Sequence, residues 1–205
     1  MMIEIHHLRE SRSRRITWLL EELGLDYTVV SYNRLPSRLA PPELQQVHPL
    51  GKAPVMKDLA TGIVLVESGA ILEYLVSEYG AGKFVPQSKT PAYYRYLQFM
   101  HYAEGSAMTP LLLKLYVGKL GEAGAPLHPR IQSEIATHFG FLNAELEGRD
   151  FFVGDELTAA DVQLCFPIQA VVRSAGPAAF PNLTRFVAAM EARPAYKLAV
   201  EKHGE

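Results

Sequence analysis

Residues 3–32 read IEIHHLRESRSRRITWLLEELGLDYTVVSY, and the apolar period changes twice along them. Ile3, Ile5 and Leu8 open a short apolar strand. Ile16, Leu19, Leu20 and Leu23 then recur at i, i+3, i+4 and i+7, one face of a helix, and Gly24 is placed to end it. Residues 27–32 are β-branched and aromatic and read as a second strand. Two strands joined through a helix by short connections predict a parallel β-α-β unit.

Downstream, Pro36, Pro41, Pro42 and Pro49 make residues 33–50 a loop with at most one short helix, near 43–47. Residues 55–57 and 63–66 read as a hairpin turning at Thr61-Gly62. After Glu67-Ser68 a helix runs through Ile71, Leu72, Leu75, Val76 and Tyr79. Residues 80–90 turn to Gly, Pro, Lys and Ser, the composition of a linker. Thr90-Pro91 then starts a new helix as N-cap and N1 proline, expected to continue to about 117. Residues 118–129 break the pattern, a helix ends at Gly148, another opens at Thr158, and a last pair is interrupted at Pro194. The expected organisation is an α/β domain over 1–80, a linker over 81–89 and an all-helical domain over 90–205.

The chain of 205 residues is 48% apolar and 20% charged, enough for a full core. A net charge of −2 supplies no field that draws nucleic acid or an anionic membrane. The N-terminal residues carry their charges after the apolar ones, the reverse of a signal peptide, and no stretch approaches ~18 apolar residues. A cytoplasmic protein with no membrane and no nucleic-acid partner is expected. Cys165 is the one cysteine, lies in an apolar run and reads as core. His6 and His7 are adjacent on a strand and point to opposite faces, and the other histidines lack ligand spacing, so no metal is expected. No nucleotide-binding or hydrolase motif occurs.

Three places carry possible chemistry. Pro54 stands where a strand should begin, and proline cannot donate to a ladder. It is either a trans strand-start proline or a cis one that turns the Ala53 N–H and C=O outward to pair with an extended peptide. Ser68 stands at a strand-to-helix junction as an N-cap should, where free N–H groups attract a carboxylate, while Glu67 beside it can take an ammonium group. Together they match an amino-acid head, or else form a plain capping pair. Third, Arg9, Arg12, Arg14 and Arg15 crowd the N-terminus of the first helix against its dipole. They pair with carboxylates such as Glu21 or Glu22, face an anion, or are solvated. Ser11 or Ser13 among them can donate to a thiolate and lower its pKa, or serve as the helix cap.

The order S-R-S-x-R-I-x-W-L-L-E-E-L, H-P-L-G-K-A-P-V, then V-E-S-G-A-I-L-E-Y-L strongly resembles the cytosolic glutathione transferase family. Within it the chain looks like the bacterial and fungal branch related to the yeast GTT-type enzymes. The resemblance covers essentially the whole chain. Residues 152–161 are similar to the family's helix-capping motif, in which Thr158 caps the helix and Asp161 at N3 reaches back to the Thr158 N–H.

The resemblance implies a thioredoxin-like N-terminal domain, an all-α C-terminal domain and glutathione as cosubstrate, with no metal. The implied activity is glutathione transfer to electrophilic small molecules, a detoxification chemistry. Peroxide or disulfide reduction with the same thiolate, and a non-catalytic glutathione-binding protein, are the alternatives. Pro54 would be cis, the Ala53 backbone would pair with the cysteinyl part, Lys52 would approach the glycyl carboxylate, and Glu67 with Ser68 would hold the γ-glutamyl head. Ser11 is the expected catalytic residue and Ser13 the second choice. An alignment on Arg14 and Ile16 puts Glu10 at the serine position instead, which leaves Arg12 or backbone N–H groups to stabilise the thiolate. A hydrophobic electrophile would bind against the helix 91–117, with Tyr102, Met108, Leu112 and Tyr116 as lining. The family is usually homodimeric, and Glu104 is a candidate to reach the partner's site.

Overall fold

β1 (Ile3–Leu8) is the strand around which the first unit assembles in this computed structural model, which describes residues 3–203. It pairs in parallel with β2 (Tyr27–Tyr32), from Ile3 opposite Tyr27 to Leu8 opposite Tyr32. On its other side it pairs antiparallel with β3 (Val55–Asp58), His6 lying opposite Val55. β3 and β4 (Ile63–Val66) form the hairpin, Val55 opposite Val66, and the sheet order is β2-β1-β3-β4. The parallel crossover and the hairpin are those the sequence predicts.

α1 (Arg14–Leu23), the short α2 (Glu43–Val47) and α3 (Ser68–Tyr79) complete this part of the unit. Ile3 and Ile5 of β1, Ile16, Leu19 and Leu20 of α1, and Ile71, Leu72 and Leu75 of α3 are fully buried. Each such side chain contributes about 1.5–3 kcal/mol by leaving water. Gly24 ends α1 at φ +66°, a left-handed conformation that costs glycine little, and its N–H returns to the Glu21 and Leu20 carbonyls.

The β3–β4 turn is tied to α3 through the buried Asp58. Its Oδ1 accepts from the Ala60 N–H at 2.9 Å and the Thr61 N–H at 3.3 Å, and its Oδ2 accepts from the Tyr74 hydroxyl at 2.7 Å and from the Tyr79 hydroxyl. Burial works to raise the Asp58 pKa, but these donors outweigh it and hold the carboxyl below its ordinary value.

Residues 84–190 form the second unit. α4 (Pro91–Tyr102) is capped by Thr90, whose hydroxyl accepts from the Tyr93 N–H at 3.2 Å. The single helix expected to about 117 is instead α4, a π-helical turn over Ala103–Ala107, and α5 (Met108–Val117). The break after it is wound as 3-10 turns over Gly118–Leu127. Gly124 lets that segment approach α5, since a Cβ there would stand 2.6 Å from the Val117 carbonyl oxygen. α6 (His128–Glu145), α7 (Ala159–Ala175) and α8 (Pro181–Ala192) follow. Phe152 is wholly buried against Phe99 and Phe186, at ring separations of 5.0 and 5.3 Å. The capping box read from the sequence is present: Asp161 accepts from the Thr158 N–H and hydroxyl, both at 2.8 Å, and also from the Phe152 N–H at 2.8 Å.

The linear partition into 1–80, 81–89 and 90–205 is not the spatial one. Residues from 191 onward, including α9 (Pro194–His203), belong with residues up to 83. Tyr196 packs edge-on against Trp18 of α1 at 5.2 Å, Arg193 grips Glu22 through two bonds of 2.6 and 2.9 Å, and Lys202 meets Glu21 at 2.5 Å. These partners occupy Glu21 and Glu22, which the sequence reading offered to the arginines at the start of α1. Cations from α9 also suit the negative C-terminal end of the α1 dipole better than carboxylates alone would.

Asp58→Asn replaces an acceptor with a donor among four donors and should cost about 1–3 kcal/mol at neutral pH. A carboxyl whose folded pKa is depressed stabilises the fold above its unfolded pKa of about 4 and loses that contribution as pH falls through the folded value. The gap between variant and wild type in urea unfolding should therefore close as pH drops below about 4. A gap that stays constant to pH ~2 would show that the Asp58 charge does not matter.

Candidate functional site

The register of β3 brings together three chain segments far apart in sequence. Val55 lies opposite His6 on one side and Val66 on the other. One step past this rung, β1 leads into His7, Leu8 and the turn to α1. β3 leads back to Pro54, Ala53 and Lys52, and β4 leads into Glu67 and Ser68. All three places singled out in the sequence thus meet at one end of the sheet. The Ala53-Pro54 bond is cis, as the resemblance implies, and both residues precede the first paired residue of β3. Pro54 is buried, Ala53 half-buried and Lys52 exposed. Lys52 borders a cavity of about 300 Å³ with Gln45, Leu50 and Gly51.

At the β4–α3 junction the roles differ from the sequence reading. Glu67, not Ser68, occupies the N-cap position, and Ser68 is the first helical residue. Glu67 is exposed with φ +68° and ψ 115°, a backbone that non-glycine residues seldom adopt. The buried Ser68 hydroxyl accepts from Arg15 Nη1 at 3.1 Å. Arg15 itself is only 2% exposed. A buried guanidinium beside the N–H groups of a twelve-residue helix makes one concentrated positive site, suited to a carboxylate.

The β1–α1 turn is a chain of buried hydroxyls. Ser13 stands at the α1 N-cap position but makes no side-chain cap bond. Its Oγ lies 2.6 Å from Ser11 Oγ, 2.9 Å from His7 Nδ1 and 3.4 Å from the Leu8 carbonyl, while Ser11 Oγ accepts from the Ser13 N–H at 3.2 Å. Neither serine is therefore spent as a conventional cap. Ser13 is wholly buried, and Ser11 keeps 7% exposure at the surface end of the chain. Arg34 straps the turn from outside, donating to the carbonyls of Arg9 at 3.0 Å, Glu10 at 2.8 Å and Arg38 at 2.9 Å. The exposed Glu10, at φ +53°, is ion-paired with Arg38. Arg12 is half-buried, and Arg14 donates to the Tyr196 hydroxyl at 3.2 Å.

Glu104 lies in the π-helical turn of the second unit, half-buried. Cys165 is buried in α7, as expected of a core residue. His6 and His7 serve different faces: His6 meets Tyr32 and Glu4, each at 2.9 Å, and His7 meets Ser13. Among the described residues no cluster of histidine, cysteine and carboxylate side chains could hold a metal ion, and no helix is long and apolar enough to cross a membrane. Sequence reasoning named Arg15 only as one of four arginines and His7 only as a non-ligand, and it missed their partners Ser68 and Ser13. Arg15 is four residues before Leu19, on the buried side of α1, and His7 continues the buried row of Ile3 and Ile5. A polar residue on an apolar stripe was the available signal.

A family model for the glutathione S-transferase N-terminal domain matches residues 2–77, and one for the C-terminal domain matches residues 100–194. Glutathione S-transferase 3 of Schizosaccharomyces pombe is 36% identical over 216 residues, covering 98% of this chain and 88% of the relative. The crystal structure of a glutathione S-transferase from Actinobacillus pleuropneumoniae superposes with a TM-score of 0.90 at 38% identity, covering 99% of this chain and 93% of that one. A family member from Pseudomonas fluorescens Pf-5, solved with two glutathione bound, has a TM-score of 0.83 at 27% identity, over 97% and 92% of the two chains.

The Arg34 strap can be tested alone. Arg34→Ala removes three carbonyl contacts at the surface, so global stability should fall by no more than about 1–2 kcal/mol. Trypsin cleavage after Arg9 and Arg12 should nevertheless quicken several-fold, because the turn opens locally. Unchanged cleavage would show that the turn holds its shape without Arg34.

Proposed function

Since the chain belongs to the glutathione S-transferase family, we propose that it binds glutathione along the β3–α3 junction and activates the thiol at Ser11. The observation that carries this reading is the single rung of Val55, His6 and Val66, from which every proposed contact segment departs. The γ-glutamyl carboxylate is assigned to the Ser68 hydroxyl and the first N–H groups of α3, with Arg15 behind them. Its ammonium group goes to Glu67, whose unusual backbone leaves the carboxylate exposed. The cysteinyl part pairs with the Ala53 backbone as an added strand would, and the glycyl carboxylate goes to Lys52. Glutathione bound to the Pseudomonas fluorescens relative supports the choice of ligand.

In this reading the Ser11 hydroxyl donates to the sulfur and lowers the thiol pKa, so that the glutathione thiol releases its proton to solvent at neutral pH while Ser11 keeps its own. The thiolate lone pair then forms a C–S bond to an electrophilic carbon, and the leaving group departs with the bonding pair. Ser13, the second choice, is buried and already engaged by Ser11 and His7, which favours Ser11 as the donor. Arg12 adds positive charge nearby. A homodimer in the cytoplasm, with Glu104 reaching toward the partner's site, completes the proposal.

Glutathione at 100 times its Kd should raise stability by about 2.7 kcal/mol, visible as a higher Tm. Ser68→Ala should weaken glutathione about 10- to 100-fold by calorimetric titration, the loss of a hydrogen bond to a charged group. Ser11→Ala should keep the affinity and lower kcat for an aryl halide. Absence of any Tm shift at millimolar glutathione would sink the ligand assignment. An unchanged kcat would remove Ser11 from the mechanism.

A further inference from the structure

The three-member chain of His7, Ser13 and Ser11 has a direction, and only one direction is useful. A serine hydroxyl carries one proton and accepts two. If His7 Nδ1 is bare, Ser13 donates to it, Ser11 donates to Ser13, and the Ser11 proton is consumed inside the protein. If His7 carries its proton on Nδ1, the ring donates to Ser13 and Ser13 donates to Ser11 across the 2.6 Å contact. Ser11 Oγ then accepts twice, from the Ser13 hydroxyl and the Ser13 N–H, and its own proton is left for a group outside. The remaining arrangement, Ser13 donating to the Leu8 carbonyl at 3.4 Å, uses the longest contact and again obliges Ser11 to donate inward.

We propose that His7 is a positioning residue for thiol activation: protonated on Nδ1, it sets the hydroxyl chain outward so that the Ser11 proton faces the glutathione sulfur. The relay is built for this. His7 and Ser13 are wholly buried, so water does not compete for their bonds, and of the three only Ser11 keeps any exposure, 7%. Successive bonds in a low-dielectric interior polarise one another and make the Ser11 hydroxyl a better donor than an isolated serine. His7 sits on the face of β1 shared with Ile3 and Ile5, so the apolar row holds the ring in place.

The inference rests on the Ser11 reading, and the test separates the two. The thiol pKa of bound glutathione is read from thiolate absorbance against pH in wild type, Ser11→Ala, His7→Leu, His7→Asn and His7→Gln. Ser11→Ala should cut the thiolate fraction at neutral pH about tenfold, one pKa unit. His7→Leu should do nearly the same with KM for glutathione unchanged, and the double variant should add nothing further. His7→Asn puts an amide N–H near the Nδ1 position and should restore most of the thiolate. His7→Gln puts it near Nε2 and should not. The Asn and Gln pair decides the matter even if the leucine variant fails to fold. Nitrogen NMR of labelled histidine should also show a protonated Nδ1 on His7. A shifted Ser11→Ala beside an unshifted His7→Leu, equal behaviour of the Asn and Gln variants, or a bare Nδ1 would each overturn the relay and leave Ser11 standing. An unshifted Ser11→Ala would overturn both.

Discussion

The placement of β3 between β1 and β4 is the constraint on which the site depends. Three segments, over residues 7–15, 52–54 and 67–68, meet only because Val55 lies opposite both His6 and Val66. A slip of one residue would turn every side chain of β3 to the other face of the sheet. Val55 and Met56, both fully buried on opposite faces, resist such a slip from either side, and Asp58 resists it at the far end through its turn and two tyrosines. The hairpin therefore fixes, from a distance, the end of the sheet where the three segments meet. Its apolar side chains supply the energy, and the candidate site residues lie just past its end.

The start of α1 shows the opposite priority. His7, Ser11, Ser13, Arg15 and Thr17 are all buried, and two cations flank Ser13 at the positive end of a helix. Local rules favour none of this. Buried hydroxyls and a buried guanidinium cost free energy unless each is bonded, and here the bonds run among themselves and to Ser68. Places where a stable fold departs from local preference are expected at functional sites. The arginines of this stretch also separate by role. Arg14 and Arg15 turn toward Tyr196 and Ser68, while the carboxylates at the other end of α1 are held by α9.

What was legible in the sequence follows from range. The strands, α1, α3 and the Thr158–Asp161 box are set by neighbours within a few residues, and period and capping residues reveal them. The π-helical turn was not legible, because the buried positions Phe99, Met100, Ala103, Ala107, Met108 and Leu111 keep spacings of one, three and four that an uninterrupted α-helix also produces. Ser68 was taken for the cap because serine is favoured there, whereas its hydroxyl answers to Arg15, fifty-three residues away. The return of α9 to the first unit likewise depends on Trp18 meeting Tyr196, a contact without local signature. Order and spacing of motifs singled out three segments that the sheet register brings to one end, whereas their polar wiring had no local signature.

Glu10 shows how that wiring bears on chemistry. As a bare carboxylate next to a thiolate it would oppose the very ionisation the site is proposed to promote. Three features hold it in the open. Its backbone takes the left-handed conformation, its carbonyl is held by Arg34, and its carboxylate is paired with Arg38 in the open. Exposed charges are screened within about 8–10 Å at physiological salt, so a paired surface carboxylate exerts little field on a sulfur held against buried donors. The position that one alignment gives to a catalytic serine is thus taken by an exposed, ion-paired carboxylate, while the next residue in the chain, Ser11, is buried and bonded to Ser13.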